Sequence, residues 1–197
     1  MLGLRAAGNG GVRVVSRGQL NQIATVALSP AVDLSLDLSL GAANADLNLG
    51  GLRVSDLDLK TGASRTVVRF SQPNPARCDA AVISAGAAEI SILGLGNSRC
   101  DVVRFEGGMG KVLLDFSGAW SSSSRVRVKM AMGELTLRLP RKVGLRITMD
   151  RFLSSFEPAG LTRRGNAFES PNYSESARHL DLDLTTAMGG VEVQWVE

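Results

Sequence analysis

The stretch VRFEGGMGKVLLDF, residues 103–116, places two short alternating segments on either side of a bend of small residues. Apolar residues occupy every second position on both sides of the bend: Val103, Phe105, Val112, Leu114 and Phe116. A period of two is typical of a β-strand with one buried face. Glycines suit a sharp change in backbone direction. The stretch therefore predicts a unit of strand, bend and strand.

The same unit recurs along the chain about every 22 residues, which is the signature of a repeat architecture. A triplet of small residues, in some copies with a central Met, marks each bend: Gly41-Ala42-Ala43, Gly62-Ala63-Ser64, Gly86-Ala87-Ala88, Gly108-Met109-Gly110, Ala131-Met132-Gly133 and Ala187-Met188-Gly189. The last interval is longer and leaves room for one further coil, with Leu145 and Ile147 as its inward pair, plus an insertion. A unit this short cannot bury its own apolar face, so the units must stack.

The repeat predicts an all-β, single-domain β-solenoid of about seven two-strand coils. We expect residues 33–197 to form the solenoid and residues 1–32 to form an N-terminal cap over its open end. Residues 152–178 lack the alternation and are predicted to form a long irregular loop. The inward residue beside each bend changes from Ala in the early coils to Met in later ones, at Met109, Met132 and Met188. We interpret these Met residues as core filling in a widening interior.

Composition limits the classes of function. Hydrophobic residues make up 44% of the chain and charged residues 21%, as in globular proteins. The net charge of +3 is too small to predict nucleic-acid binding. The chain begins without the apolar run of a secretory signal, and no segment approaches the roughly 20 apolar residues needed to span a membrane.

A resemblance to a known family follows from the bends and the alternation after them. The clearest stretches are 160–166, Ser170-Pro171-Asn172-Tyr173, 180–184 and the bend Ala187-Met188-Gly189. Residues 33–197 resemble the toast-rack domains of bacteria, which are related to the C-terminal domain of LiaF-like cell-wall-active antibiotic response proteins and to adhesin-like proteins. The resemblance implies a β-solenoid without known catalysis, attached to envelope signalling or surface proteins. It supplies no catalytic residues.

Cys78 and Cys100 are one repeat apart, and each stands between Arg and Asp. Equivalent positions on neighbouring coils lie about 4.8 Å apart, which is within disulfide range for Cα atoms. Parallel side chains diverge from the ideal spacing of the Cβ atoms, so we favour two free thiols over a disulfide. Two Cys and the distant His179 cannot form a closed zinc site, and no metal or cofactor is predicted.

Alignment of the coils predicts a basic column on the outward face of the first strands. Arg104, Arg127 and Arg146 fall into this column, and Lys129 lies beside it. Like charges on neighbouring strands are unfavourable, so the column is a candidate binding site for an anion. The alternative is a hydrated face on which nearby Glu residues balance the charge. In the predicted loop, the candidate contact residues are Arg163, Arg164, Asn172 and Tyr173.

No catalytic residue is predicted, because a single His and scattered acids do not form a nucleophile and base pair or a glycosidase site. We expect a non-enzymatic interaction or scaffold domain, associated with the bacterial envelope, that binds a protein or an anionic polymer or membrane surface. The first alternative is a filament module that associates end to end through exposed strand edges. The second is an enzyme that acts on polysaccharides.

Overall fold

The computed structural model describes residues 2–6 as a strand and residues 24–197 in full. The fold is all-β and solenoid-like, as predicted, and its strands join into one open sheet. The strands are β1 (Leu2–Ala6), β2 (Asp33–Leu40), β3 (Ala45–Asn48), β4 (Arg53–Thr61), β5 (Arg65–Arg69), β6 (Cys78–Leu93), β7 (Cys100–Asp115), β8 (Ser124–Pro140), β9 (Gly144–Phe156), β10 (Thr162–Arg164), β11 (Ala167–Glu169) and β12 (His179–Val196). A 3-10 turn at Leu95–Asn97 separates β6 from β7.

Each coil has a first arm before the bend and a second arm after it. In the first two coils the arms are separate strands, β2 with β3 and β4 with β5. In the later coils one long strand runs through the bend, as in β6, β7, β8 and β12. Equivalent arms pair in parallel, so that neighbouring coils share their backbone hydrogen bonds.

The predicted inward positions form one aliphatic core. In the first arm they lie in register on successive strands and are buried: Leu36, Leu57, Ala81, Val103, Val126, Leu182 and Ile147. The second arms contribute another buried row, which includes Ile90, Val112, Leu135 and Val191. Stacking coils remove these side chains from water, which supplies the main driving force for the fold.

The order of the coils differs from their order in the sequence. The strands lie in the order β1, β2, β4, β6, β7, β8, β12, β9, β11, β10. Strand β12 therefore lies between β8 and β9 and pairs in parallel with both. The predicted column of Arg127 and Arg146 requires β9 to lie beside β8, and this expectation is wrong. Each coil presents equivalent apolar faces, so alternation alone does not select the neighbour.

Part of the segment predicted as an irregular loop at 152–178 forms strands. Strand β9 continues to Phe156, and β10 and β11 form a hairpin that pairs antiparallel with β9. At the opposite end of the sheet, β1 pairs antiparallel with β2. Antiparallel strands thus flank the parallel stack on both sides. Most of the predicted cap at residues 1–32 lies outside the described residues, and its boundary stays a prediction.

The three later bends depend on glycine at the third position of the triplet. Gly110, Gly133 and Gly189 have φ angles of 138°, 130° and 128°. A Cβ atom on Gly133 would lie 2.0 Å from the carbonyl oxygen of Gly110. Glycine alone combines this backbone conformation with so close an approach between neighbouring coils.

Cys78 and Cys100 form a disulfide between β6 and β7, so the preference for free thiols is wrong. Their Cα atoms are 4.2 Å apart, closer than regular neighbours in a sheet. The preceding Arg99 has a φ of 58°, in the left-handed region. The backbone therefore departs from strand geometry just before Cys100, which regular repeat spacing does not reveal.

Candidate functional site

An exposed apolar row runs along the bends of the last coils. Met109, Met132, Met188 and Leu153 lie in register on β7, β8, β12 and β9. Their exposed fractions are 57%, 44%, 45% and 60%. At the strand spacing of about 4.8 Å, these four residues span about 14 Å. We call this row the apolar ridge.

The ridge overturns the interpretation of these Met residues as core filling. Phe105 and Val112 are the inward residues on either side of one bend, and their residue numbers differ by an odd number. Alternation therefore cannot pass unchanged through the bend. An irregularity inside the bend reverses the two faces, so that Met109 lies outside, beside the exposed Lys111. The neighbouring coils repeat this arrangement. Exposed Met side chains are adaptable and suit protein contact surfaces.

A shallow groove of about 1180 Å³ follows the same bends. Small residues line it at the position just before the ridge, among them Gly108, Ala131 and Ala187. Phe152, which is 82% exposed, lies at the β9 end of the groove. Because ridge and groove residues are consecutive in each strand, the two features run side by side along the stack.

At β7 and β8, one pair of opposite charges lies on each side of the ridge and groove. On the first-arm side, Glu106 lies beside Lys129, with 3.6 Å between carboxylate oxygen and ammonium nitrogen. On the second-arm side, Lys111 lies beside Glu134 at 3.1 Å. Each of these two pairs is neutral. At β7 and β8 the surface is therefore apolar along its centre and neutral in charge on both sides.

The predicted basic column is only partly formed. Arg104 and Arg127 are direct neighbours in register, and both are exposed. Arg127 is followed by Asp183 on β12, and Arg146 lies elsewhere, opposite Asp181. Arg146 does not belong to the column, because β12 lies between β8 and β9. The sequence pattern does not reveal the register either, because a shift of two residues leaves the inward and outward positions unchanged. Anion binding by Arg104, Arg127 and Lys129 stays a prediction.

Arg146 instead helps to fix the segment after β11. Its guanidinium bonds to Glu169 at 2.8 Å and lies 4.3 Å over the ring of Tyr173. The hydroxyl of Tyr173 donates to Asp181 at 2.9 Å. Burial, followed by the bond and charge of Asp181, raises the pKa of Tyr173 above its ordinary value. The hydrogen bond to Glu169 raises the pKa of Arg146.

The four loop residues proposed as contacts occupy different environments. Asn172 donates to the carbonyl of Arg141 at 3.1 Å, and the side chains of Asn172 and Tyr173 hold the segment against the sheet. Arg163 and Arg164 are exposed on the short edge strand β10. Binding through any of these residues stays a prediction.

The described residues contain no group of three or more His, Cys, Asp or Glu side chains placed to hold a metal ion. Within the same part of the chain, no helix has the length and apolar character needed to cross a bilayer.

The comparisons with known proteins bear on the fold. Residues 9–93 match the family model described as the N-terminal domain of toast_rack, DUF2154. None of the curated proteins matches the chain. A solved structure described as a "putative cell adhesion protein" from Clostridium sporogenes ATCC 15579 is similar over 98% of this chain and 100% of its own. Its sequence is 11% identical and its TM-score is 0.53, so it supports the fold.

The family match is placed differently from the predicted resemblance. It begins inside the segment predicted as a cap and ends before residues 160–189, where the predicted resemblance is clearest. The resemblance to toast-rack proteins is nevertheless confirmed, and residues 9–93 are similar to the N-terminal domain of that family.

Proposed function

We propose that this chain is a non-enzymatic, envelope-associated interaction module that binds a protein through the apolar ridge. The observation that carries the proposal is the register of Met109, Met132, Met188 and Leu153, which forms one continuous exposed apolar row. Large exposed apolar surfaces on soluble domains commonly mark interaction sites. The stacked coils hold the backbone of the row in place, so little backbone entropy is lost on binding.

The proposal of envelope association rests on the family and on the disulfide. Toast-rack similarity is consistent with an envelope-associated domain without catalysis. Disulfides persist mainly in oxidising compartments, so the bond between Cys78 and Cys100 favours folding outside the reducing cytoplasm. His179, the one His of the chain, bonds to the carbonyl of Tyr173, which favours a structural role for it.

The ends of the sheet give less support to a filament. The outermost strand at one end, β10, has only three residues, and two of them are Arg163 and Arg164. Short, charged edge strands oppose pairing between edges. The side of the stack therefore offers a better contact surface than its β10 end.

Methionine oxidation tests the proposed function without knowledge of the partner. Peroxide converts exposed Met to the sulfoxide, and mass spectrometry measures the rate at each position. We expect Met109, Met132 and Met188 to be oxidised several-fold more slowly in envelopes from cells that produce the protein than in the dilute purified chain. Met149, half-buried and outside the ridge, is the control. Equal rates at the three ridge positions in both samples would contradict the proposal.

A further inference from the structure

We propose that a second copy of this chain covers the apolar ridge, in a dimer whose two-fold axis runs parallel to the stack. This inference rests on the proposed function and names its partner. The ridge borders a groove lined by Gly108, Ala131 and Ala187. A ridge and a groove that run side by side on one surface allow that surface to pair with itself.

The spacing of the two features is matched. Met109, Met132 and Met188 recur with the strand repeat of about 4.8 Å, and the small residues of the groove recur with the same repeat. Rotation about an axis between ridge and groove places each ridge over the groove of the other copy. The fit extends along the whole row because both features have one origin, the stacking of the coils. Such an interface is isologous and closed.

The charges bordering the site select the same arrangement. On each copy, Glu106 lies on the groove side of the surface and Lys111 lies on the ridge side. The two-fold rotation exchanges these sides, so that Lys111 faces Glu106 of the second copy. By the same rotation, Glu134 faces Lys129 of the second copy. Symmetry doubles both contacts, and the dimer gains four pairs of opposite charge at the coils of β7 and β8.

The same charges argue against an anionic surface as the occupant. Lys111 lies within ion-pair distance of Glu134, and Lys129 lies within ion-pair distance of Glu106. An anionic polymer or lipid headgroup would meet these carboxylates together with the ammonium groups. A second copy presents the complementary sequence of charges and an apolar centre.

Sedimentation equilibrium of the purified chain at rising concentration tests the proposal. We expect reversible dimers in the wild type. The variants Lys111→Glu and Glu106→Lys each create two like-charged contacts across the interface, and each should weaken self-association by about tenfold or more. Mixing these two variants should restore dimers of one copy of each, because Glu at 111 then faces Lys at 106, and Lys at 111 faces Glu at 106.

The mixture of the two charge variants is the decisive measurement, because it would not restore a dimer formed through an antiparallel or unrelated contact. Met132→Asp should also weaken the dimer, and circular dichroism must show that each variant keeps the fold. Arg163→Glu on β10 is the matched control and should leave the dimer unchanged. A wild type that stays monomeric, or a mixture that does not form dimers, overturns the proposal that a second copy covers the ridge. Protection of the ridge methionines in envelopes would then still support an interaction with another protein.

Discussion

The backbone of Gly189 lies so close to Gly133 that a Cβ atom on Gly189 would be 1.8 Å from the carbonyl oxygen of Gly133. Gly189 also has a φ of 128°, which L-residues with side chains rarely adopt. The next residue, Gly190, has neither constraint, since its nearest neighbour would be the hydroxyl of Ser155 at 3.5 Å. Two adjacent glycines thus differ sharply in their tolerance of a methyl group.

We therefore expect Gly189→Ala to lower the free energy of unfolding by about 3 kcal/mol, from backbone strain and overpacking together. Gly190→Ala should change it by less than about 1 kcal/mol. Urea unfolding followed by circular dichroism measures both values. Equal midpoints for the two variants would show that the bend is not built as described.

Removal of the disulfide provides a second prediction. The variant with both Cys78→Ala and Cys100→Ala should lose about 3 kcal/mol of stability, because the unfolded chain regains the freedom of the closed loop. Thermal unfolding with and without dithiothreitol measures the effect. The reductant should lower the midpoint of the wild type and leave that of the double variant unchanged. Detection of two free thiols in the oxidised native protein would refute the bond.

The buried side chain of Asn74 joins separate parts of the stack, and it is only 1% exposed. Its amide donates to the carbonyls of Val54 and Ser98, at 2.7 Å and 3.0 Å, and its oxygen accepts from the backbone of Ala76. Asn74→Ala should cost about 3 kcal/mol, since buried backbone groups lose their partners.

Asn74→Asp tests which of these bonds matter. Asp keeps the oxygen that accepts from Ala76 and loses both donors to Val54 and Ser98. We expect it to be destabilised at least as much as the Ala variant in chemical unfolding, because a buried carboxylate would face two carbonyl oxygens. A stability equal to that of the wild type would mean that the two donor bonds contribute nothing.

The one tyrosine of the chain allows a direct titration. Burial of Tyr173, and then its bond to Asp181, raise its pKa in the folded protein. Tyr173 therefore stabilises the fold fully below its unfolded pKa of about 10, and this stabilisation is lost as pH rises through the folded pKa. Absorbance at alkaline pH should show a higher pKa in the native than in the urea-unfolded chain.

Asp181→Asn should lower the native pKa of Tyr173, because it removes the negative charge that opposes the phenolate. Asp183→Asn, on the same strand, is the control and should leave this pKa closer to the wild-type value. A Tyr173 pKa that is insensitive to Asp181→Asn would rule out the contact between the two side chains.

The alternation of apolar residues was sufficient to predict the core. Pairs such as Leu57 and Leu59 or Val126 and Val128 are buried as expected, because alternation directly reports which face of a strand is apolar. The same signal fails at bends, where one extra residue reverses the faces. Alternation therefore predicts that Met109 lies inside, whereas the structure has it outside.

Long-range order was less accessible from the sequence. The position of Arg146 depends on which strand lies beside β9 and on a register that a two-residue shift would satisfy equally well. The bond between Cys78 and Cys100 depends on local backbone geometry at Arg99. The candidate site is therefore not evident from the sequence, although the Met that recurs at equivalent bends is a sign of it.

The insertion of β12 between β8 and β9 has a consequence for biosynthesis. As the nascent polypeptide leaves the ribosome, the coils up to β8 can pair in the order in which they are translated. The edges of β8 and β9 must then remain apart until residues 179–196 have emerged. A premature pairing of β8 with β9 would have to be undone, so a chaperone that shields these edges would favour correct maturation.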